Sequence, residues 1–237
     1  MSIADNLNRV REEITQACHA ARRRPAEVAL MAVSKVHPVE CLIEAHAAGQ
    51  RLFGENRVQE WQEKSSSAAR LDGLEMHLIG PLQTNKSARA AELFQAIDTV
   101  DSLKIATRLN DAARKRNQPL PILVEVKLSS EESKHGVAPS DLPVLLDALA
   151  ALEFLVPSGL MTVAPWPSDL PRANEEARPY FAALRRLRDE SAKAHRSVQS
   201  LSMGMSNDFV AAIAEGSTCV RIGTAIFGKR TGLGLQT

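Results

Sequence analysis

The residues of this sequence whose types could do chemistry fall in three places. A lysine, Lys35, follows the apolar run VALMAVS (28–34). An arginine, Arg221, sits inside the strand-like run STCVRIG (217–223), and small residues recur in SMGMSND (202–208) and RIGT (221–224). A lysine that ends a strand ordinarily carries its charge into water on a long stem. Here Pro38 stops any continuing ladder, so the chain turns just after Lys35 and leaves the amine at a C-terminal strand rim. Strand alternation gives Lys35 the face of Met31 and Val33, and gives Arg221 the face of Cys219, opposite Val220 and Ile222. An inward guanidinium needs partners. One reading pairs it with a strand-borne carboxylate such as Glu125 or Glu55; the other sets it against an acceptor on a ligand. An amine held near positive charge and away from water has its pKa lowered from ~10.4, which exposes the neutral nucleophile that forms Schiff bases. Gly204 lets backbone N–H groups approach an anion, as do Gly223 and the hydroxyl-bearing Thr224, so two phosphate-type loops accompany the amine.

These residues need elements to bring them together. Strand-like runs recur at 28–35, 51–56, 75–80, 96–101, 122–128, 153–162, 197–204 and 217–223, each closed by polar or glycine residues. Helical patterns lie between them, among them CLIEAHAAG, SARAAELF, SLKIATRLNDAARKR, DLPVLLDALAAL, ARPYFAALRRLRDESAKAH and DFVAAIAEG. The natural closure of eight such units is an α/β fold, a single (β/α)8 TIM-type barrel; a doubly wound open sheet is the alternative. The stripe Ile3, Leu7, Val10, Ile14, Ala17, Cys18 predicts an extra N-terminal helix over 1–24 packed outside, with 1–237 forming one domain. Sites on barrels lie at the C-terminal rim, with phosphate often bound after strands seven and eight, where the two small-residue loops fall. The triplet SSS (65–67) is read as part of a short βα connection. The stretch VAPWPSDLPRAN (163–174) is either a mobile lid or a proline-braced surface loop.

Composition narrows the classes. With 29 basic and 28 acidic side chains, the formal charge of +1 announces neither a nucleic-acid nor a membrane partner. The cluster Arg22, Arg23, Arg24 reads as a solvated helix cap rather than an RNA contact. Cys18, Cys41 and Cys219 are scattered without CxxC spacing, which fits a reducing cytoplasm. The expectation is a cytoplasmic protein without leader or membrane span, and the six histidines give little support to a metal.

A Schiff-base lysine, a phosphate cradle and an inward arginine together describe pyridoxal 5′-phosphate, an aldehyde with a phosphate arm and a ring nitrogen. AVSKVHPVE, FGENRVQEW, HLIGPLQTNK, EESKHGV, GLMTVAP and LSMGMSNDFVAAIAEGSTCVRIGTAIFG closely resemble the pyridoxal phosphate homeostasis proteins, the YggS/PROSC family, over nearly the whole chain. The resemblance implies a barrel like the alanine racemase N-terminal domain, with the cofactor bound covalently to Lys35. It also implies that Ser206, Gly223 and Thr224 hold the phosphate, that Arg221 faces the pyridine nitrogen and that Asn56 lies near the ring. Val36 and His37 stand where Thr-Lys is commoner in the family, and His135 replaces a small residue. An arginine opposite the ring nitrogen mutes the electron sink, and the one tyrosine, Tyr180, lies in a helix away from any rim. The expected function is therefore a monomeric cofactor-binding homeostasis or carrier protein with apo-enzymes as recipients. The alternatives are a racemase or decarboxylase on the same barrel, and a Schiff-base aldolase for a phosphorylated sugar.

Overall fold

The computed structural model describes residues 2–129, 131 and 135–228. Eight parallel strands close on themselves in chain order: β1 (Ala29–Val33), β2 (Leu52–Glu55), β3 (Glu75–Leu78), β4 (Ala96–Val100), β5 (Leu120–Glu125), β6 (Leu155–Met161), β7 (Ser200–Ser202) and β8 (Cys219–Ile222). The seam between β8 and β1 runs in register from Ala29 opposite Cys219 to Ala32 opposite Ile222. Parallel strands covered by helices on the outside and side chains within are buried on both faces, and β4 is buried at all five positions. Each predicted strand is present, most of them shortened, while β5 begins two residues before its predicted start and ends three before its predicted end. The ladder between β5 and β6 shifts where Ile122 meets Pro157, which has no N–H to give; Ser158 is the extra residue there.

The helices that wrap the barrel are α1 (Ile3–Ala20), α2 (Val39–Ala47), α3 (Val58–Ala68), α4 (Ser87–Leu93), α5 (Leu103–Arg116), α6 (Leu142–Ala150), α7 (Ala173–Ala194), α8 (Phe209–Ala214) and α9 (Thr224–Phe227). α1 starts on a capping box in which Ser2 and Asp5 satisfy each other's N–H, and it buries Leu7, Val10, Ile14, Ala17 and Cys18, the predicted stripe. α5 ends on Asn117 in the left-handed region, behind Arg114, Lys115 and Arg116. Two sequence expectations are corrected. The serines 65–67 are helical, inside α3, whose buried Val58, Trp61 and Ala68 fix one face while Gln62, Glu63, Ser66 and Ser67 are exposed. The arginine cluster is not wholly solvated either: Arg23 Nη1 donates to the carbonyls of Ile213 (2.9 Å) and Ser217 (2.7 Å), tying the end of α1 to the turn before β8. Asn6 and Arg9 reach the carbonyls of Ile226 and Ala225, so α1 also fastens α9. Among the described residues no helix is long and apolar enough to cross a membrane.

The barrel interior is layered. Gly54 on β2 faces inward, where a Cβ would lie 2.8 Å from both Met31 Sδ and Ile79 Cδ1, so a side chain there would require both of those chain ends to shift. At the N-terminal end is a cavity of about 270 Å³ lined by His77, Asp98, Ser202 and Cys219 among others. His77 Nδ1 lies 3.1 Å from Asp98 Oδ1. Desolvation there pushes the Cys219 thiol up to about 12, which keeps it protonated.

Candidate functional site

A second, larger cleft of about 450 Å³ opens at the C-terminal rim. Lys35 lines it from the turn two residues beyond β1, with Val33 beside it. Asn56 follows β2 directly and is crossed at close range by the chain after β3: a Cβ on Gly80 would lie 2.3 Å from the Asn56 carbonyl oxygen, so residue 80 has no room for a side chain. Ser206 comes from the loop after β7, Arg221 from β8, and Gly223 and Thr224 from the start of α9. All six sequence-predicted residues thus line one cleft. Glu125, already offered by the sequence as a possible partner of Arg221, also lines it, as do His135, Pro165, Trp166 and Asn207; these four were not named as site residues, because nothing local distinguishes a rim residue from any other loop residue.

The arginine is held rigidly. Arg221 is 5% exposed; its Nη1 donates to Ser202 Oγ at 2.8 Å and its Nη2 to the Thr162 carbonyl at 2.9 Å. Of its two candidate carboxylates, Glu55 is engaged elsewhere, accepting from Ser34 Oγ and Lys64 Nζ, both at 2.8 Å, while Glu125 shares the cleft with the guanidinium. Ser202 is legible in hindsight from the alternation of SLS, whereas a backbone carbonyl partner leaves no trace in sequence. Gly204 precedes the Ser206 loop with φ +97°, and a Cβ there would lie 2.5 Å from the Ala212 Cβ. The loop is pinned by Met205 N–H donating to Asp208 Oδ1 and by Arg221 N–H donating to the Gly204 carbonyl. A Cβ on Gly223 would come within 3.3 Å of the Val33 carbonyl, so the α9 entrance lies tight against the end of β1. The first N–H groups of α9 have no acceptor within the helix. Of the stretch 163–174, residues 163–169 are a coil, Leu170–Arg172 form a short 3-10 turn and the last two open α7; the coil brings Trp166, 73% exposed, to the edge of the cleft.

An amine, a fixed guanidinium and two hydroxyls thus meet two glycine-containing turns at one rim of a closed parallel barrel, an architecture of the alanine racemase N-terminal type. The alanine racemase N-terminal domain family matches residues 5–231. The pyridoxal phosphate homeostasis protein of Pseudomonas aeruginosa is 45% identical over 229 residues, spanning 97% of this chain and 96% of that protein. The protein of the same name from Escherichia coli K12 is 45% identical over 230 residues, spanning 96% and 97%. The chain belongs to the pyridoxal phosphate homeostasis protein family. The PipY protein of Synechococcus elongatus, whose structure was solved with pyridoxal phosphate bound, superposes with a TM-score of 0.85 at 38% identity, covering 96% of this chain and all of PipY.

Proposed function

We propose that this single-domain barrel binds pyridoxal 5′-phosphate covalently through Lys35 and acts as a carrier in cofactor homeostasis rather than as an enzyme. The observation that carries the reading is the convergence of Lys35, Asn56, Ser206, Arg221, Gly223 and Thr224 on one cleft at the rim. In this reading the neutral Lys35 amine adds to the aldehyde carbon, the aldehyde oxygen leaves as water, and the resulting C=N bond is reversible. Ser206, Thr224 and the backbone at Gly223 receive the phosphate. Asn56 lies beside the ring, and Arg221 faces its nitrogen. The ligand supplies an electron sink when its ring nitrogen is protonated. A guanidinium fixed by Ser202 and Thr162 offers that nitrogen a donor and no acceptor, and so opposes protonation.

Two further features favour carriage. Tyr180 lies within α7, packed against the core, and supplies no acid/base group to the cleft. The C=N bond at an open rim is within reach of an incoming lysine of a recipient apo-enzyme. We take the carrier to act as a cytoplasmic monomer. The test is borohydride reduction of the loaded protein followed by peptide mass mapping, with Lys35→Ala alongside. An adduct on Lys35 that is absent from the variant supports the assignment; an adduct on another lysine refutes it. Racemisation or decarboxylation of amino acids well above the rate of the free cofactor would favour the enzyme reading instead.

A further inference from the structure

The turn that carries Lys35 is gripped on both sides by one helix. Lys64 Nζ on α3 donates to the Ser34 carbonyl (3.2 Å), to Glu55 Oε1 (2.8 Å) and to Glu60 Oε1 (2.7 Å). Glu60 Oε1 in turn accepts the Val36 N–H at 2.5 Å. The Ser34 carbonyl belongs to the peptide unit before Lys35 and the Val36 N–H to the unit after it. Both peptide planes that set the direction of the Lys35 side chain are therefore bonded to residues one helical turn apart on α3. The ammonium is nearly sheltered, with 11% of its side chain exposed, and Glu55 not at all. Val36 is held at φ +59°, a region costly for a β-branched residue, which persists only where its surroundings enforce it. Burial pushes the Glu55 carboxyl above the usual range, and the adjacent Lys64 ammonium opposes that rise.

We propose that Lys64, acting through Glu60 and the Ser34 carbonyl, is a positioning residue that holds the Lys35 turn in the conformation from which its amine attacks an aldehyde in the cleft. The proposal rests on the assignment of Lys35 as the attaching amine. Replacing the ammonium by the apolar side chain of methionine leaves the Glu55 and Glu60 carboxyls without their shared counter-charge. Glu60 then swings to water, Val36 loses its acceptor, and the turn relaxes toward negative φ. The phosphate-binding loops come from β7 and β8 and are untouched by this change.

The test compares Lys64→Met, Glu60→Ala and Glu60→Gln with the unmodified chain. One measurement follows growth of the visible absorption band on mixing with pyridoxal 5′-phosphate. The other measures affinity for pyridoxine 5′-phosphate, which carries an alcohol in place of the aldehyde and reports the non-covalent fit. Lys64→Met and Glu60→Ala are expected to attach about 10- to 100-fold more slowly, the penalty of a misplaced reacting group, with pyridoxine phosphate affinity unchanged. Glu60→Gln, which keeps an oxygen for Val36, returns to near the unmodified rate. Equal rates in folded Lys64→Met and Glu60→Ala overturn the proposal. So does a parallel loss of pyridoxine phosphate affinity, or failure of glutamine to rescue. If Lys64→Met does not fold, as judged by circular dichroism, the two variants of the more exposed Glu60 decide alone. Lys35→Ala separates the two levels: a borohydride-stable adduct surviving in it removes the premise. Its loss there, together with full rates in the α3 variants, refutes only the positioning role.

Discussion

Replacing Gly204 by alanine tests whether the proposed phosphate cradle is built by close packing of the chain. At φ +97° an L-residue is strained, at about 1–2 kcal/mol, and the new Cβ would stand 2.5 Å from the Ala212 Cβ and 3.0 Å from the Phe209 Cα. Neither neighbour is the end of a flexible side chain, so α8 itself must move, an overpacking cost of about 1–3 kcal/mol. A total near 3 kcal/mol corresponds to a fall in Tm of about 6–12 °C for a chain of this size. Gly49 is the control: its φ is +85°, but the nearest atom to an added Cβ is Arg11 Nη2 at 4.0 Å, so Gly49→Ala carries the conformational cost alone. Since α8 follows the Ser206 loop directly, its displacement also spreads the cradle. Thermal unfolding of the ligand-free proteins and equilibrium dialysis with pyridoxal 5′-phosphate read the two effects. A Gly204→Ala protein that melts no lower than Gly49→Ala and binds as tightly as the parent would refute the steric reasoning.

Ser206→Ala and Thr224→Val should each weaken cofactor retention by about 1.5–3 kcal/mol, roughly 10- to 150-fold by dialysis, while leaving covalent attachment possible. Arg23→Ala frees the carbonyls of Ile213 and Ser217 and should lower Tm by about 4–12 °C, from about 2–3 kcal/mol of lost charged hydrogen bonding. For His77, desolvation pulls the imidazole down, but the hydrogen bond and charge of Asp98, with Glu75, more than offset it and leave the pKa above the ordinary 6.5. A raised basic group stabilises the fold below that ordinary value and loses the contribution as pH rises through the folded one. The Tm advantage of the parent over His77→Gln should therefore be larger near pH 6 than near pH 9, and a gap independent of pH would contradict the pairing. Trp166 stands at the cleft and Trp61 is buried in α3, so cofactor binding should quench the solvent-exposed emission, and Trp166→Phe should remove most of that response.

The barrel was readable from sequence because its strands are largely apolar runs separated by helices with clear stripes, and β1 and α1 are the plainest cases. α3 was not, since QEKSSS carries no apolar repeat and only Val58, Trp61 and Ala68 touch the core. Arg221 was legible because a charge within an apolar strand is expensive unless partnered, and Lys35 because Pro38 turns the chain just after it at a strand rim. The partners of Arg221 were less so. Glu55 seemed as good a candidate as any until α3 brought Lys64 against it, and a carbonyl such as that of Thr162 belongs to every residue alike. The departure Val36-His37 also gains a setting, since the His37 ring lies 5.2 Å from that of Phe227 and so joins the lysine turn to α9.

The seam between β1 and β8 has a consequence for the birth of the protein. The amine of Lys35 and the Asn56 wall belong to the first quarter of the chain, while Ser206, Arg221, Gly223 and Thr224 come from its last stretch. On the ribosome Lys35 therefore emerges long before the residues proposed to hold a phosphate, and the closing contacts are among the most distant in sequence, the kind that form slowly. A nascent barrel carries an amine without a cradle. On the proposed site, retention of the cofactor would report that synthesis has passed β8 and that the ring of strands has shut.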